Sequence, residues 1–212
     1  MVLTLLVFAL AQTATGPLPA AQVDMLAVID HYKKLKNITF TIVRHRDPTD
    51  AKEVSADRVY WNDSHHFQID FVPWGNSVDL TSASMLSDDG IVDTLSSKGI
   101  IKTEKLDPGT DKIPVWELRG GFVLCWLMGG KTWDILTKPS PDRPVEYAYG
   151  PQTKWHDFDV KEIVITRVES GLKEPLSIYI DPAAHMAIGF EDVEGGQKIW
   201  SEIRDVHEAE KS

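Results

Sequence analysis

The chain has 212 residues, enough for one well-developed core, with 42% hydrophobic and 25% charged residues and a formal net charge of −10. With no basic run longer than Lys33-Lys34, it lacks the footprint that nucleic acid requires, and its acidity disfavours anionic membrane surfaces. Cys125 is the only cysteine, so a disulfide framework or a Cys-rich zinc site within one chain is excluded, and a lone thiol in an apolar run reads as an inert core residue.

Residues 1–20 carry no charge and open on the apolar run Val2 to Ala11, followed by small residues. Ala9-Leu10-Ala11 and Leu18-Pro19-Ala20 each offer a small-residue cleavage pattern. No Lys or Arg precedes the run, but the segment reads as a signal peptide for export; a buried strand or an uncleaved anchor is the other reading. Residues 21–206 then read as one domain and 207–212 as a charged tail.

Ala21 to Lys36 is expected to be an amphipathic helix, with Val23, Leu26 and Ile29 (and Met25, Val28, Tyr32) recurring at three-to-four spacing. Asn37 stops it. From Ile38 the period becomes two: Ile38, Phe40 and Ile42 alternate with Thr39, Thr41 and Val43. Val54 to Trp61 is a second strand, and His65 to Val72 a third, with Phe67, Ile69 and Phe71 on one face. Val78 to Leu86 and Ile91 to Leu95 form a hairpin about Asp88-Asp89-Gly90. Short turns and one polar face per strand indicate a curved antiparallel sheet or open barrel, not a βαβ fold.

The middle, Ile100 to Arg143, breaks this pattern. It contains Gly120-Gly121-Phe122-Val123-Leu124-Cys125-Trp126-Leu127-Met128-Gly129-Gly130, seven apolar residues between two glycine pairs. A membrane span takes about 20 such residues, so the run must be buried in protein or against a ligand. It reads either as a core helix plugging the sheet or as a helical lid over an apolar cavity. Strands resume at Val145 to Tyr149, Trp155 to Phe158, Glu162 to Val168, Leu176 to Ile180, Met186 to Phe190 and Gln197 to Val206. The fold class expected is therefore α+β, a strongly curved antiparallel sheet forming an incomplete β-barrel with a helical lid or plug.

Three segments, Leu26 to Arg44, Met85 to Leu95 and Leu176 to Val206, give this chain a resemblance to a known family. They carry a helix running into a Phe-bearing strand, a Ser-Asp-Asp-Gly hairpin, and a strand ending in Ile-Asp-Pro followed by two more strands. In order and spacing they resemble the outer-membrane lipoprotein carrier (LolA-like) superfamily over about half the chain. The resemblance implies a periplasmic location and a half-open barrel whose helical lid covers an apolar cavity for acyl chains. The family's carriers place a lid-locking arginine before the third strand, where this chain has Trp61-Asn62-Asp63-Ser64-His65-His66.

Enzyme chemistry is not expected. No G-x-S-x-G, H-E-x-x-H or P-loop pattern occurs. Adjacent His65 and His66 would point to opposite faces of a strand, His156 with Asp157 and Asp159 reads as a polar turn, and Asp88-Asp89-Gly90 lacks the ligand spacing of a calcium loop. Neither a metal nor any other cofactor is expected. Seven tryptophans are many for this length; they either line a cavity or fill a small barrel. The expected ligand-binding residues are Phe40, Ile42, Phe67, Ile69, Phe71, Trp116, Phe122, Val123, Leu124, Trp126, Leu127, Met128 and Ile178. The expected partner is a lipid or the acyl chains of a lipoprotein. The alternative is a structural or regulatory envelope module with a filled interior that binds a protein partner.

Overall fold

A computed structural model describes residues 18–45, 53–63, 66–71, 83–88, 91–96, 99–105, 123, 126–127, 144–169, 172–194 and 197–208. The chain begins with α1 (Ala20–Tyr32) and continues through β1 (Ile38–His45), β2 (Glu53–Trp61), β3 (Phe67–Phe71), β4 (Ala83–Asp88), β5 (Ile91–Ser96) and β6 (Gly99–Lys105). After the middle segment come β7 (Val145–Tyr149), β8 (Lys154–Trp155), β9 (Phe158–Asp159), β10 (Lys161–Glu169), β11 (Leu172–Asp181), β12 (Met186–Glu194) and β13 (Gln197–Glu208).

Among the described residues eleven strands form one sheet in the order β6-β5-β4-β3-β2-β1-β13-β12-β11-β10-β7, and every neighbouring pair is antiparallel. The first and last strands of the domain, β1 and β13, meet at its centre. The sheet is open, with β6 and β7 at its two edges. The expected antiparallel sheet with one packed helix is therefore present. β6 was not anticipated by the sequence reading, which assigned Ile100 onward to the irregular middle. Its Lys and Glu residues mask the period, and its exposed Ile100 is an edge residue without a covering layer.

The alternation of β1 works as its pattern requires: Ile38, Phe40 and Ile42 turn to the concave face. On that face they join Val59, Trp61, Phe67, Ile69, Ile163, Ile165, Leu176, Ile178 and Phe190 in one apolar cluster. Helix α1 is rotated relative to the expected face. It buries Ala21, Met25, Val28, Ile29 and Tyr32, whereas Val23 and Leu26 are exposed. The stripe that wins is the one ending in Tyr32, whose hydroxyl donates to the Ala187 carbonyl at 3.1 Å inside the core. The helix ends at Tyr32, short of Lys36, and Asn37 takes the left-handed conformation (φ 53°) that turns the chain into β1.

A second, smaller cluster lies on the convex face. The short β8–β9 hairpin lays Trp155 against Tyr179 (ring centroids 5.0 Å, interplanar 15°) and edge-on to Trp200 at 5.8 Å. Trp200 also stacks on His45 at 3.7 Å, and His45 meets Glu202 at 2.8 Å through Nε2. Trp155 can approach the sheet because position 189 is glycine: a Cβ there would fall 2.2 Å from the Trp155 ring. Gly189→Ala should therefore destabilise the fold by about 1–3 kcal/mol, as overpacking does. Urea unfolding of the variant, alone and combined with Trp155→Ala, measures this, and the double variant should lack most of the added penalty.

Candidate functional site

The interior of the half-barrel is built row by row from the ladder register. Phe40 lies opposite Val59, and Val59 opposite Ile69; Ile42 lies opposite Ile203; Ile178 sits between Phe190 and Ile163. Each of these side chains is buried. Of the residues expected to bind ligand, Phe40, Ile42, Phe67, Ile69, Val123, Trp126, Leu127 and Ile178 come together in this one cluster. Phe71 ends β3, but its side chain is outside the described set, and Trp116, Phe122, Leu124 and Met128 lie outside the described residues altogether.

Val123, Trp126 and Leu127 are helical and buried, with Trp126 at 0% exposure. The Trp126 indole sits between Tyr32 (centroids 5.3 Å) and Phe190 (5.6 Å), both tilted by about half a right angle. One contact comes from the helix and the other from the sheet, so a single side chain ties three parts of the molecule together. Burial pushes the Tyr32 phenol well above its ordinary pKa, while the hydrogen bond to Ala187 opposes the rise only in part. The connection carrying these residues leaves from edge strand β6 and returns at the opposite edge strand β7. The three helical residues are thus carried by the stretch of chain between the two edge strands.

Helix α1 forms part of the same interior, which the sequence reading did not assign to the site. The stripe Ala21, Met25, Val28, Tyr32 carries that signal at helical spacing, but Val23 and Leu26 compete with it in hydrophobicity. The helix is fastened to the β7 edge by Asp24. Its carboxylate accepts from the Tyr149 hydroxyl at 2.7 Å and from Lys161 Nζ at 2.8 Å, and the ammonium stands over the Tyr149 ring. The Lys161 hydrogen bond, with that of Tyr149 second, holds the Asp24 carboxyl below its usual range.

The concave face is not apolar throughout. Arg44, Asp57 and Ser201 are buried on it, with Arg44 opposite Ser201 and Asp57 opposite Ile42. Asp192 and Arg167 follow the same alternation, two residues beyond Phe190 and Ile165 respectively. No signal for this charged end was drawn from the sequence, because single polar residues at strand ends look like the approach to a turn.

The histidines are placed as follows. His66 Nδ1 lies 3.0 Å from Asp63 in an exposed turn, and His65 is outside the described residues. His156 is in the left-handed turn of the β8–β9 hairpin, against Trp155 and Trp200. Asp88 closes β4, and residues 89–90 are outside the described set. Among the described residues no group of three or more His, Cys, Asp or Glu is arranged to hold a metal ion.

No family model matches the chain, and a search of curated proteins finds no match. Solved structures similar to this chain include MucB, at 7% identity and a TM-score of 0.49, covering 93% of this chain and 62% of that one. This chain therefore spans less than two thirds of the MucB structure. LprF from Mycobacterium bovis is similar at 10% identity and a TM-score of 0.46, covering 92% of this chain and 96% of the other. A LolA superfamily protein from Nitrosomonas europaea is similar at 7% identity and a TM-score of 0.41, covering 91% and 94%. These are likenesses of fold at very low sequence identity.

The Asp24 clamp gives a pH prediction. A carboxyl held below its unfolded value of about 3.9 adds stability above that value and loses it as the pH falls through the folded pKa. Asp24→Asn should thus lower the thermal midpoint at neutral pH, by a loss of about 0.2–1 kcal/mol for so exposed a pair. The gap between wild type and variant should close as the pH falls through and below the ordinary carboxyl range, which midpoints measured across the acid range will test.

Proposed function

We propose that this protein is a periplasmic, non-enzymatic carrier that binds lipid or lipoprotein acyl chains on the concave face of its open sheet. In this reading the segment Phe122 to Met128 would open to admit the acyl chains. The observation that carries this reading is that the apolar interior is covered by Val123, Trp126 and Leu127, which lie on a connection between the two free edges and not on a paired strand. Such a cover can leave without breaking a ladder hydrogen bond, which makes it the cheapest part of the core to open. The export reading of residues 1–20 supports the periplasmic location, and among the described residues no helix is long and apolar enough to cross a membrane.

The energies of exchange are comparable. Withdrawing three buried side chains costs about 1.5–3 kcal/mol each, whereas a buried chain of about a dozen methylenes contributes about 0.8 kcal/mol per methylene before ordering costs. An acyl chain can therefore replace the cover in the same space with no large net change. Binding of this kind rests on excluded apolar area rather than on directed bonds. The glycine pairs at 120–121 and 129–130 supply the backbone freedom for hinges.

The second reading is a module of the same fold whose interior stays filled and whose surface binds a protein partner. It is favoured by the complete burial of Trp126, Val123, Ile69, Ile163 and Ile178. Trp126→Ala separates the two. A carrier should take up a fluorescent fatty acid with clearly altered affinity and lose comparatively little stability, because the lid is detachable. A filled module should lose about 3–5 kcal/mol, the usual cost of a deleted core tryptophan, and bind no fatty acid before or after the change. Native mass spectrometry of protein taken from its own periplasm should show bound lipid; an apo mass alone, without fatty-acid uptake, would sink the carrier reading.

A further inference from the structure

We propose that the charged end of the concave face is a head-group site for a zwitterionic phospholipid, one whose phosphate and ammonium are separated by two carbons. This rests on the acyl-chain reading above and names the class of lipid that the cavity takes. Five strands place a polar residue two positions beyond a buried apolar one, all towards the same end of the sheet. Asp57 follows Val59 on β2, Arg44 follows Ile42 on β1, and Ser201 follows Ile203 on β13. Asp192 follows Phe190 on β12, and Arg167 follows Ile165 on β10. The antiparallel register makes these directions agree: Arg44 is opposite Ser201, and Ser201 is opposite Phe190.

The face is therefore amphiphilic along the strands, its apolar stretches giving way in a staggered line to Asp57, Arg44, Ser201, Asp192 and Arg167, with Glu174 opposite Arg167. Arg44 and Asp57 are only 8% and 3% exposed, and the Nε atoms of both Arg44 and Arg167 are shielded from solvent. Each of these charged residues has interactions within the protein, so the row is an organised one. Burying such groups is a poor route to stability, since well-packed apolar residues of similar volume do as well or better. A selective role explains their position next to the acyl rows.

The chemistry selects the head group. A guanidinium grips a phosphate bidentately, which an ammonium cannot match, and a carboxylate receives the lipid's ammonium. Asp57 lies opposite Ile42 and Arg44 opposite Ser55, so the two are diagonal neighbours on adjacent strands, about 7–8 Å apart at the backbone, and the long guanidinium arm and the short carboxylate can serve the phosphate and the ammonium of one head group. A net-anionic head group would leave the carboxylates facing an uncompensated negative charge, and a free fatty acid would use one arginine only.

The test offers the full chain mixed vesicles of equal phosphatidylethanolamine and phosphatidylglycerol with matched acyl chains, with bound lipid identified by native mass spectrometry. Wild type should take phosphatidylethanolamine by about tenfold or more, the ratio that one charge-assisted hydrogen bond provides. Arg44→Met with Asp57→Leu keeps net charge and an apolar fill, so it should retain lipid uptake while the preference collapses. Should that double variant fail to fold, Arg167→Met and Ser201→Ala, on other strands, are read for the same ratio, which should fall in each. Uptake of both lipids alike by wild type, or an unchanged preference in the variants, overturns the head-group site and leaves the acyl-chain reading intact. No uptake of either lipid by wild type overturns both.

Discussion

An antiparallel sheet that curves without closing leaves its concave face to be covered by something other than strands, and here that duty converges on Trp126. Its indole touches Tyr32 on the helix and Phe190 on the sheet at nearly equal distances. Tyr32 in turn reaches the backbone of β12 through its hydroxyl. Remove the indole, and both the helix and the sheet lose their common neighbour at the centre of the molecule.

The two faces of the sheet differ in how they are covered. On the convex side Trp155, Tyr179 and Trp200 pack under a hairpin that is continuous with the ladder strands on both sides of it, and Gly189 is cut to fit the ring above it. Nothing there can leave without unmaking the β7–β10 connection. On the concave side Trp126 lies on the chain between the two edge strands and packs between Tyr32 and Phe190. Aromatic mass is therefore packed on both faces, in a hairpin on one and in the helical residue Trp126 on the other, which the count of tryptophans alone could not distinguish.

Much of the fold is legible in the sequence because period-two alternation survives wherever one face is buried and the other is wet. β1 and β3 are clean cases, and the residues they turn inward, Phe40, Ile42, Phe67 and Ile69, are those the pattern names. Legibility fails where two patterns compete or where burial does not decide. Helix α1 has apolar residues on more than one side, and only the tertiary anchor at Tyr32 selects the inward stripe. β6 is an edge strand, with charge in place of alternation. The charged end of the interior is invisible one strand at a time, because Arg44, Asp57, Ser201, Asp192 and Arg167 fall towards one end of the same face only through a register that spans the sheet.

The central claim is that the segment carrying Trp126 opens independently of the ladder it covers. Amide hydrogen exchange resolved along the chain tests this most directly, because local opening and global unfolding have separate free energies. A detachable lid predicts that amides of residues 120–130 exchange far faster than those of Ile38–His45, and that added phospholipid changes the first set while leaving the second untouched. Exchange of both sets at one common rate, set by global unfolding and indifferent to lipid, would contradict it and make the segment an integral plug.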